Sequence, residues 1–450
     1  MSRTTSRLLA GALAAATVRQ AFVLAAVVRS RRFLAQPLPA VPGPARPPVF
    51  RIVLPVLREA ALLPATVEHM RTLARQHDAA VIVVTTARED KEPGDTKAYG
   101  DTKAYGDTVA VARELAAQGR CVHLHYPDPD GVKADQLNYA AAWCQASLPD
   151  GISPADCFLV CYDADSRPPA DSLDQFARAI GSAAGADVFH QSSRFELRAP
   201  HRGAGPSGAL GRTVCDAGAL RANRFVLGFE VPRLLNRSQA AGRRKRALCS
   251  GVYAHVTGHG LCIRLPLLVR LPFPARSPLE DMHYSFILGS REVPMIPVAS
   301  LDCAEVPDTV LRQVRQAARW FFGPGRFTQY LRDPRTRRGP RAVVMAASAA
   351  GSAAEWIGCA IVPPLAAGAL CARRAPAVRA AALALTVTCG IQVILTEMTL
   401  GDGGPLRSRA GRVAAFPVAC MVHGAGGICG SMQLLTGGSG IGKTERGARA

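Results

Sequence analysis

The chain has 450 residues, a formal net charge of +20 and a pI near 10.0. This length exceeds one ordinary domain, and the positive charge favours anionic lipids or phosphorylated substrates as partners. No aromatic-and-basic pattern of an RNA-binding module accompanies the charge, so nucleic acid is not an expected partner. The 13 cysteines include no C-x-x-C pair, which argues against a zinc site and favours reduced thiols in a cytoplasmic compartment.

An apolar segment near the N-terminus, Leu8 to Val28, is long enough to cross a bilayer but carries Arg19 near its middle. A charged side chain at that depth is costly, so a membrane helix, an interfacial helix and a signal peptide all stay open. The composition thus indicates a membrane-associated segment over residues 1–36 and a proline-rich linker over residues 37–48.

Strand and helix patterns alternate from Phe50 onward. The apolar runs FRIVLPV, AAVIVVTT, CVHLHY and CFLVC predict four strands. Amphipathic stretches between them predict helices over Glu59–Gln76, Val109–Gln118 and Ala134–Ala146. This alternation predicts parallel β-α-β units in an α/β fold, whose ligands bind beyond the carboxyl ends of the strands.

Two acidic residues follow the fourth predicted strand. Asp163 and Asp165 flank a single alanine directly after CFLVC and Tyr162. Two carboxylates this close repel each other unless a cation lies between them, and Mg²⁺ usually reaches a protein through one or two carboxylates plus phosphate oxygens. The pattern is therefore typical of a metal–diphosphate clamp, although a solvated turn would also use Asp, Ser and Pro.

Weaker patterns fill the middle of the chain. Residues 94–105 repeat the hexamer GDTKAY and residues 243–246 read RRKR, both typical of surface loops. A strand is predicted over Phe189–Phe195, and a helix is predicted within Gly208–Gly228.

Carboxylates and aromatic residues mark two later predicted helices. Glu280 and Asp281 begin the first, where they favour the helix dipole and capping alone would explain them. The second, Val310–Phe322, is amphipathic and lies either on the protein surface or at a membrane interface.

Three long apolar stretches follow, and each is long enough to span a bilayer. They are Ala342–Ala372, Val378–Leu400 and Val413–Thr436. Glu355 and Glu397 interrupt the first two, and the pair Pro363 and Pro364 is expected to break the first. Both connecting loops are basic, so charge bias does not settle the topology.

The residues 437–444, GGSGIGKT, fit every position of the phosphate-loop pattern. That motif needs a strand before it and a helix after it within an α/β domain. Because a membrane-like stretch precedes it and only six residues follow Thr444, we expect no ATPase domain here.

The order of these motifs resembles that of the membrane-bound family 2 glycosyltransferases, the group that includes cellulose and hyaluronan synthases. PVLRE (55–59) is similar to the family's P-x-x-x-E, KADQLN (133–138) to K-x-x-x-L-N, DAD (163–165) to D-x-D, and the Glu280–Asp281 pair to its E-D pair. QAARW (316–320) matches Q-x-x-R-W in full, while KTER (443–446) resembles the terminal T-x-R and GHG (258–260) loosely resembles an acceptor-side glycine segment.

The resemblance implies a GT-A-like domain with a mostly parallel sheet over residues 49–335, a transmembrane region over residues 341–437 and a basic tail over residues 438–450. It implies Asp281 as catalytic base, Asp163 and Asp165 as ligands of Mg²⁺ or Mn²⁺, and Glu280 and Trp320 on the acceptor side. It implies donor-binding roles for Pro55, Glu59, Glu89, Lys133, Asp163, Gln316 and Arg319, and a phosphate contact for Lys443 and Arg446. Where the family has an aspartate that reads the nucleobase, this chain has TTARED, so Glu89 or Asp90 would substitute.

The activity implied is inverting transfer of a sugar from a nucleotide sugar to a saccharide or lipid-linked acceptor, at a cell membrane and with the catalytic domain in the cytoplasm. A metal-dependent nucleotidyl or phosphoryl transferase stays open, although it would not need Q-x-x-R-W, and so does a non-catalytic membrane scaffold or transporter.

For KTER to reach the active site, the chain must cross the bilayer an even number of times after the catalytic domain. We therefore expect two crossings, with either Ala342–Ala372 or Val413–Thr436 staying on the cytoplasmic side.

Overall fold

The structure is a computed structural model that describes residues 2–36, 46–90, 107–183, 185–197, 208–240, 258–275, 277 and 279–436. The GDTKAY repeat, the RRKR run, Lys443 and Arg446 lie outside these residues, as do the basic tail and all but the end of the proline-rich linker.

The elements alternate between helix and strand through most of the chain. In chain order they are α1 (Arg3–Ala35), β1 (Val49–Pro55), α2 (Leu63–Ala74), β2 (Ala79–Thr86), α3 (Thr108–Ala117), β3 (Val122–Tyr126), α4 (Lys133–Ala146), β4 (Cys157–Cys161), α5 (Ser172–Ser182), β5 (Val188–Glu196), α6 (Ala209–Phe225), α7 (Val231–Ala240), β6 (Leu261–Arg264), α8 (Leu265–Arg270), α9 (Glu280–Ser290), β7 (Met295–Glu305), α10 (Val310–Gly325), α11 (Phe327–Arg332), α12 (Pro340–Leu370), α13 (Pro376–Leu400) and α14 (Leu406–Leu435).

One seven-stranded sheet organises these elements, in the order β3-β2-β1-β4-β6-β5-β7. The first four strands in this order are mutually parallel, β6 is antiparallel to both of its neighbours, and β7 is parallel to β5. The predicted α/β class with a mostly parallel sheet and C-terminal apolar helices is confirmed.

The core lies on both faces of the sheet. Every residue of β1 and β4 is buried, as expected for central strands covered by helices on either side. Alternate residues of β1 therefore enter different clusters: Ile52 and Leu54 pack with α2 and α5, whereas Val53 packs with α4 and α9.

The first helix of the domain begins later than predicted. Glu59 lies in the loop after β1, where its backbone N–H donates to Thr108 Oγ1 at 3.0 Å, and α2 starts only at Leu63. Pro64 then occupies the first turn of α2, where its missing N–H costs no hydrogen bond. This late start leaves Glu59 at the carboxyl end of the sheet.

Within the described residues, four helices are long and apolar enough to cross a membrane: α1, α12, α13 and α14. Pro363 and Pro364 lie inside α12 without ending it, so the expected break is wrong. Neighbouring helices can satisfy the backbone groups that proline frees.

Helix α1 runs parallel to α13. Its Leu13 packs near the start of α13, at Val378, whereas its Val27 packs near the end, at Leu400. Arg19 of α1 forms an ion pair with Glu355 of α12, which offsets the cost of a charge at that depth. This packing favours the membrane-helix interpretation of the N-terminal segment.

Helix α14 packs along two helices of the sheet-containing region. Near its start, Arg412 contacts Asp216 of α6 at 3.1 Å and Glu397 of α13 at 2.6 Å. Near its end, Gly430 packs on the α10 backbone, where an added Cβ would lie 2.6 Å from the carbonyl oxygen of Ala318. Both halves of α14 therefore lie against the same side of the molecule.

Candidate active site

The turn after β4 presents both aspartates of the D-x-D segment. The backbone N–H of Ser166 donates to the carbonyl oxygen of Asp163 at 3.0 Å, and the N–H of Asp163 donates to Ser166 Oγ at 3.2 Å. Asp165 is buried, Asp163 is 28% exposed, and both line one large cavity. The turn is thus closed by its own hydrogen bonds and directs two carboxylates at the carboxyl end of the sheet.

Lys133, at the start of α4, connects this turn to two other segments. Its Nζ lies 2.5 Å from Asp163 Oδ1, 2.8 Å from the carbonyl oxygen of Gly258 and 3.7 Å from Glu280 Oε1. Burial lowers the pKa of Lys133, but the neighbouring carboxylates of Asp163 and Glu280 more than reverse this, so its pKa lies above the usual value. The ammonium group stays charged and ties the aspartate turn to α9.

The two acidic residues at the start of α9 lie in the same place but in different surroundings. Asp281 Oδ2 accepts the backbone N–H of Gly258 at 2.8 Å, and its Oδ1 accepts the N–H of Met282 at 2.7 Å. Glu280 is buried, and burial raises its pKa to about 7, even though Lys133 opposes the shift. Helix capping therefore explains only part of the role of Asp281, and it does not explain why Glu280 is buried.

A small volume holds all of these charges. A Cβ atom added at Gly258 would lie 2.9 Å from Lys133 Nζ, 3.1 Å from Glu280 Oε1 and 3.3 Å from Asp281 Oδ2. With the two aspartates of the turn, Glu280 and Asp281 make a total of four carboxylates that line the cavity around one lysine. The cluster carries an excess of negative charge.

A hard divalent cation fits this donor set. Within the described residues, no group of three or more His, Cys, Asp or Glu side chains has the arrangement of a complete metal site. Mg²⁺ and Mn²⁺ do not require one when phosphate oxygens and water complete the shell, because one or two carboxylates then suffice. Asp163 and Asp165 supply two such carboxylates within the negatively charged cluster that lines the cavity.

Three side chains of α10 also belong to the candidate site. Gln316, Arg319 and Trp320 are spaced i, i+3 and i+4, so they share one face of the helix. All three line the cavity that the aspartates line. The Q-x-x-R-W segment, more than 150 residues along the chain from the D-x-D turn, is therefore brought to it by the fold.

The residues predicted to contact the donor near β1 and β2 divide into two groups. Pro55 and Glu59 line the cavity, together with Thr86. Glu89 instead accepts the backbone N–H of Arg58 at 2.7 Å, and the described residues that line the cavity on this side do not include it. The side chain of Asp90 lies outside the described part, so reading of the nucleobase by either acid stays a prediction.

The sequence reasoning gave no role to a histidine–aspartate pair beside the turn. His259 Nδ1 lies 3.1 Å from Oδ2 of Asp302, a fully buried residue of β7, and 3.0 Å from Ser193 Oγ. Burial lowers the pKa of His259, but Asp302 reverses the shift and raises it. The GHG segment was noted in the sequence as a loose acceptor-side glycine segment, but no sequence pattern indicated that its His259 would pair with Asp302.

Glycine is required at the end of the GHG segment. Gly260 has φ of +67°, and a Cβ there would lie 2.1 Å from the carbonyl oxygen of Gln191. This close approach lets β6 begin beside β5 and directs His259 into the cavity.

The cavity has a volume of about 1250 Å³ and extends well beyond the carboxylate cluster. Its walls also include residues of α1, α6, α12, α13 and α14. The site is therefore built jointly by the sheet-containing region and by the long apolar helices.

No family model and no curated protein sequence matches the chain. Among solved structures, the chain is similar to the mannosyltransferase PcManGT from Pyrobaculum calidifontis in complex with GDP-Man and Mn²⁺, at 18% identity and a TM-score of 0.45, over 85% of this chain and 97% of that one. It is also similar to glucosyl-3-phosphoglycerate synthase from Mycobacterium tuberculosis, in two complexes that contain UDP, at 15% and 16% identity and a TM-score of 0.32, over 58% of this chain and 71% of that one. With identities and TM-scores this low, the function has to be inferred from the chain's own residues.

Proposed function

We propose that this chain is a membrane-bound, inverting glycosyltransferase of the family 2 type that transfers a sugar from a nucleotide sugar to a saccharide or lipid-linked acceptor. One observation carries the proposal. Residues from four separate segments, namely 133, 163–165, 280–281 and 316–320, converge on a single cavity at the carboxyl end of the sheet. Their chemistry matches what breaking a sugar–diphosphate bond requires.

The leaving diphosphate needs positive charge and hydrogen-bond donors. When a divalent cation is bound at Asp163 and Asp165, it supplies Lewis-acid neutralisation of the phosphate oxygens. Arg319 donates charge-assisted hydrogen bonds, and Gln316 adds an amide donor from the same helix. Lys133 Nζ lies 2.5 Å from Asp163 Oδ1 and fixes the orientation of the aspartate turn.

The acceptor hydroxyl has to lose its proton as it attacks the anomeric carbon. Asp281 is suited to accept that proton, because two backbone N–H groups fix its orientation and each carboxylate oxygen keeps a second lone pair. Direct attack with one base inverts the anomeric centre. Glu280 shares this end of the cavity, and Trp320 offers an aromatic face to an acceptor sugar.

The donor's nucleoside occupies the side of the cavity that Pro55 and Glu59 line, with Glu89 behind that wall as the candidate for base reading. Lys443 and Arg446 would contact the diphosphate only if the chain returns to the catalytic side after its last described helix.

We further propose that α12 and α13 cross the bilayer while α14 stays on the cytoplasmic side with residues 49–335. The packing of both halves of α14 on α6 and α10 supports this arrangement. It fulfils the requirement for an even number of crossings after the catalytic domain.

The experiment uses the full chain in phosphatidylcholine nanodiscs with a panel of nucleotide sugars, Mn²⁺ or Mg²⁺, and acceptor candidates. Release of a nucleoside diphosphate supports a glycosyltransferase, whereas release of pyrophosphate or orthophosphate indicates a nucleotidyl or phosphoryl transferase. The anomeric configuration of the product tests inversion. Absence of any cleavage across the panel would favour a non-catalytic scaffold.

The metal clamp is tested by Asp165→Asn, which removes one charge with little change in volume. We expect turnover to fall at least about a hundredfold, as for loss of a few kcal/mol of transition-state stabilisation. Asp150→Asn is the matched control, because Asp150 is an exposed aspartate remote from the cavity lining. Full activity of Asp165→Asn, or of the unaltered chain in chelator, would overturn the clamp.

A further inference from the structure

The cavity continues from the carboxylate cluster into the bundle of apolar helices. At one end it is lined by Asp163 and Asp281, and at the other by Leu370 of α12 and Leu385 of α13. Leu385 lies in the part of α13 that packs with Leu13. The other end of α13, at Leu400, contacts the sheet-containing region. If α12 and α13 cross the bilayer, this far end lies within its hydrocarbon layer.

The inner walls are small and apolar. Gly358 of α12 and Gly390 of α13 both line the cavity, and a Cβ added at either would meet no atom within 4 Å. Ala366 and Ala367 continue the same wall. This part of the cavity has the polarity for an aliphatic chain and few hydrogen-bonding groups for a hydrated saccharide.

Two arginines of α6 lie between the apolar end and the carboxylate end. Arg221 and Arg224 are spaced i, i+3 and both line the cavity. Arg224 donates to neutral amide oxygens, those of Gln392 and Gln20, at 2.5 Å and 2.6 Å. Within the described residues neither arginine forms an ion pair with a carboxylate, in contrast to Arg19, which pairs with Glu355.

The cost of these uncompensated charges favours an anionic ligand at the two arginines. Burial is the main cause of a lowered pKa at Arg221, and the nearby Arg224 contributes in the same direction, so the environment disfavours its charge. Guanidinium groups that line a cavity without an ion-pair partner are stabilised when a phosphate or similar anion binds them. Arg221 also lines a second, small cavity with Gln316 and Trp320, which places it beside the acceptor wall of the main site.

We propose that the acceptor is a lipid-linked molecule whose phosphate binds Arg221 and Arg224 and whose aliphatic chain lies between α1, α12 and α13. This inference rests on the proposed function and names the acceptor class of that site. In the transfer step the bond between the anomeric carbon and the diphosphate oxygen breaks, and a bond from that carbon to an acceptor hydroxyl oxygen forms. The hydroxyl proton passes to Asp281, and the nucleoside diphosphate leaves with the bonding electron pair.

The test measures binding of three probes to the full chain in phosphatidylcholine nanodiscs. Dodecyl phosphate carries the anion and the chain, inorganic phosphate carries only the anion, and dodecyl maltoside carries only the chain with a neutral head. Fluorescence of Trp320 and Trp356, which line the cavity, reports binding. We expect dodecyl phosphate to bind at least about tenfold more tightly than either of the other probes.

Two sets of variants separate the head site from the chain site. Arg221→Gln and Arg224→Gln should each weaken dodecyl phosphate binding at least about tenfold, whereas Arg212→Gln, an exposed residue of the same helix, should not. Gly358→Leu should fill the chain site, whereas Gly351→Leu, also in open space on α12 but outside the cavity lining, should not. Thermal unfolding of each variant checks that it is folded, and Gly358→Leu tests the proposal independently if the arginine variants are not.

Equal binding of dodecyl maltoside, or of inorganic phosphate, would overturn the proposal, as would equal weakening in Arg212→Gln. Failure of this inference is distinguishable from failure of the proposed function, because probe binding does not require the donor. Donor cleavage without dodecyl phosphate binding would overturn only the acceptor assignment, whereas dodecyl phosphate binding without cleavage of any donor would overturn the transferase.

Discussion

Replacing Lys133 by methionine tests whether the site is assembled as described. Lys133 Nζ contacts Asp163 at 2.5 Å, the carbonyl oxygen of Gly258 at 2.8 Å and Glu280 at 3.7 Å, so one side chain joins three segments. Methionine keeps the length and apolar stem of lysine but provides no donor and no charge. Asp163, Glu280 and Asp281 would then face one another without a cation.

The magnitude follows from burial and geometry. Breaking a fully buried ion pair costs about 3–5 kcal/mol, and a hydrogen bond to a charged group contributes about 1.5–3 kcal/mol. The side chains of Lys133 and Asp163 are 25% and 28% exposed, so water screens part of the effect and a loss of about 2 kcal/mol is expected. The pKa of Glu280 should rise further, because Lys133 is the neighbour that lowers it.

Thermal unfolding of the full chain in nanodiscs, with chelator present, measures the loss. We expect an unfolding temperature about 2–3 °C below that of the unaltered chain, and donor binding weakened at least about tenfold. Lys133→Arg should recover part of both. The control is Arg71→Gln, which breaks an exposed pair with Glu68 and should cost less than about 1 kcal/mol. If Lys133→Met matches the unaltered chain in both measurements, the lysine does not hold the site together.

Three further predictions concern the base, the pH dependence and the topology. Asp281→Asn should abolish transfer while leaving donor affinity largely unchanged, and a collapse of donor affinity with transfer retained would make Asp281 a cap alone. Because burial raises the folded-state pKa of Glu280 from 4.5 to about 7, its contribution to stability is present below pH 4.5 and is lost as the pH rises through 7. Thermal unfolding across this window should therefore show Glu280→Gln gaining stability relative to the unaltered chain as the pH rises, and a constant difference would contradict the burial argument. A cysteine added beyond Arg446, on a background in which the exposed Cys371 is replaced by serine, should not react with an impermeant reagent in intact cells, and labelling there would remove KTER from the active site.

Local sequence patterns predicted the parallel part of the sheet well. Strands β1, β2 and β4 are short buried apolar runs. A continuous apolar run of this kind indicates a strand that is buried on both faces of the sheet. The D-x-D turn was likewise predictable because it directly follows one of these runs. Because the neighbouring strands were predicted to be parallel, the aspartates were also predicted to lie at the carboxyl edge of the sheet.

The remainder depends on pairings between distant residues, which no local pattern encodes. Nothing in LCIR indicates that β6 inserts antiparallel between β4 and β5, or that His259 next to it meets Asp302. The length and composition of the last apolar stretch indicate a membrane span as readily as an interfacial helix. Its contacts with α6 and α10 support the interfacial arrangement that we propose.

The pairing of α1 with α13 has a consequence for biosynthesis. One wall of the cavity comes from the first helix of the chain and another from a helix that begins at Pro376, so the ribosome has made more than three-quarters of the protein before both walls exist. Until then, the arginines of α6 and the apolar inner surface have no partner across the cavity. Residues 49–335 expressed alone would keep that surface exposed to water permanently, and we expect such a fragment to aggregate or to require detergent. The cavity of this chain is therefore completed late, when the last apolar helices pack on the α/β region, and not by folding of the α/β region alone.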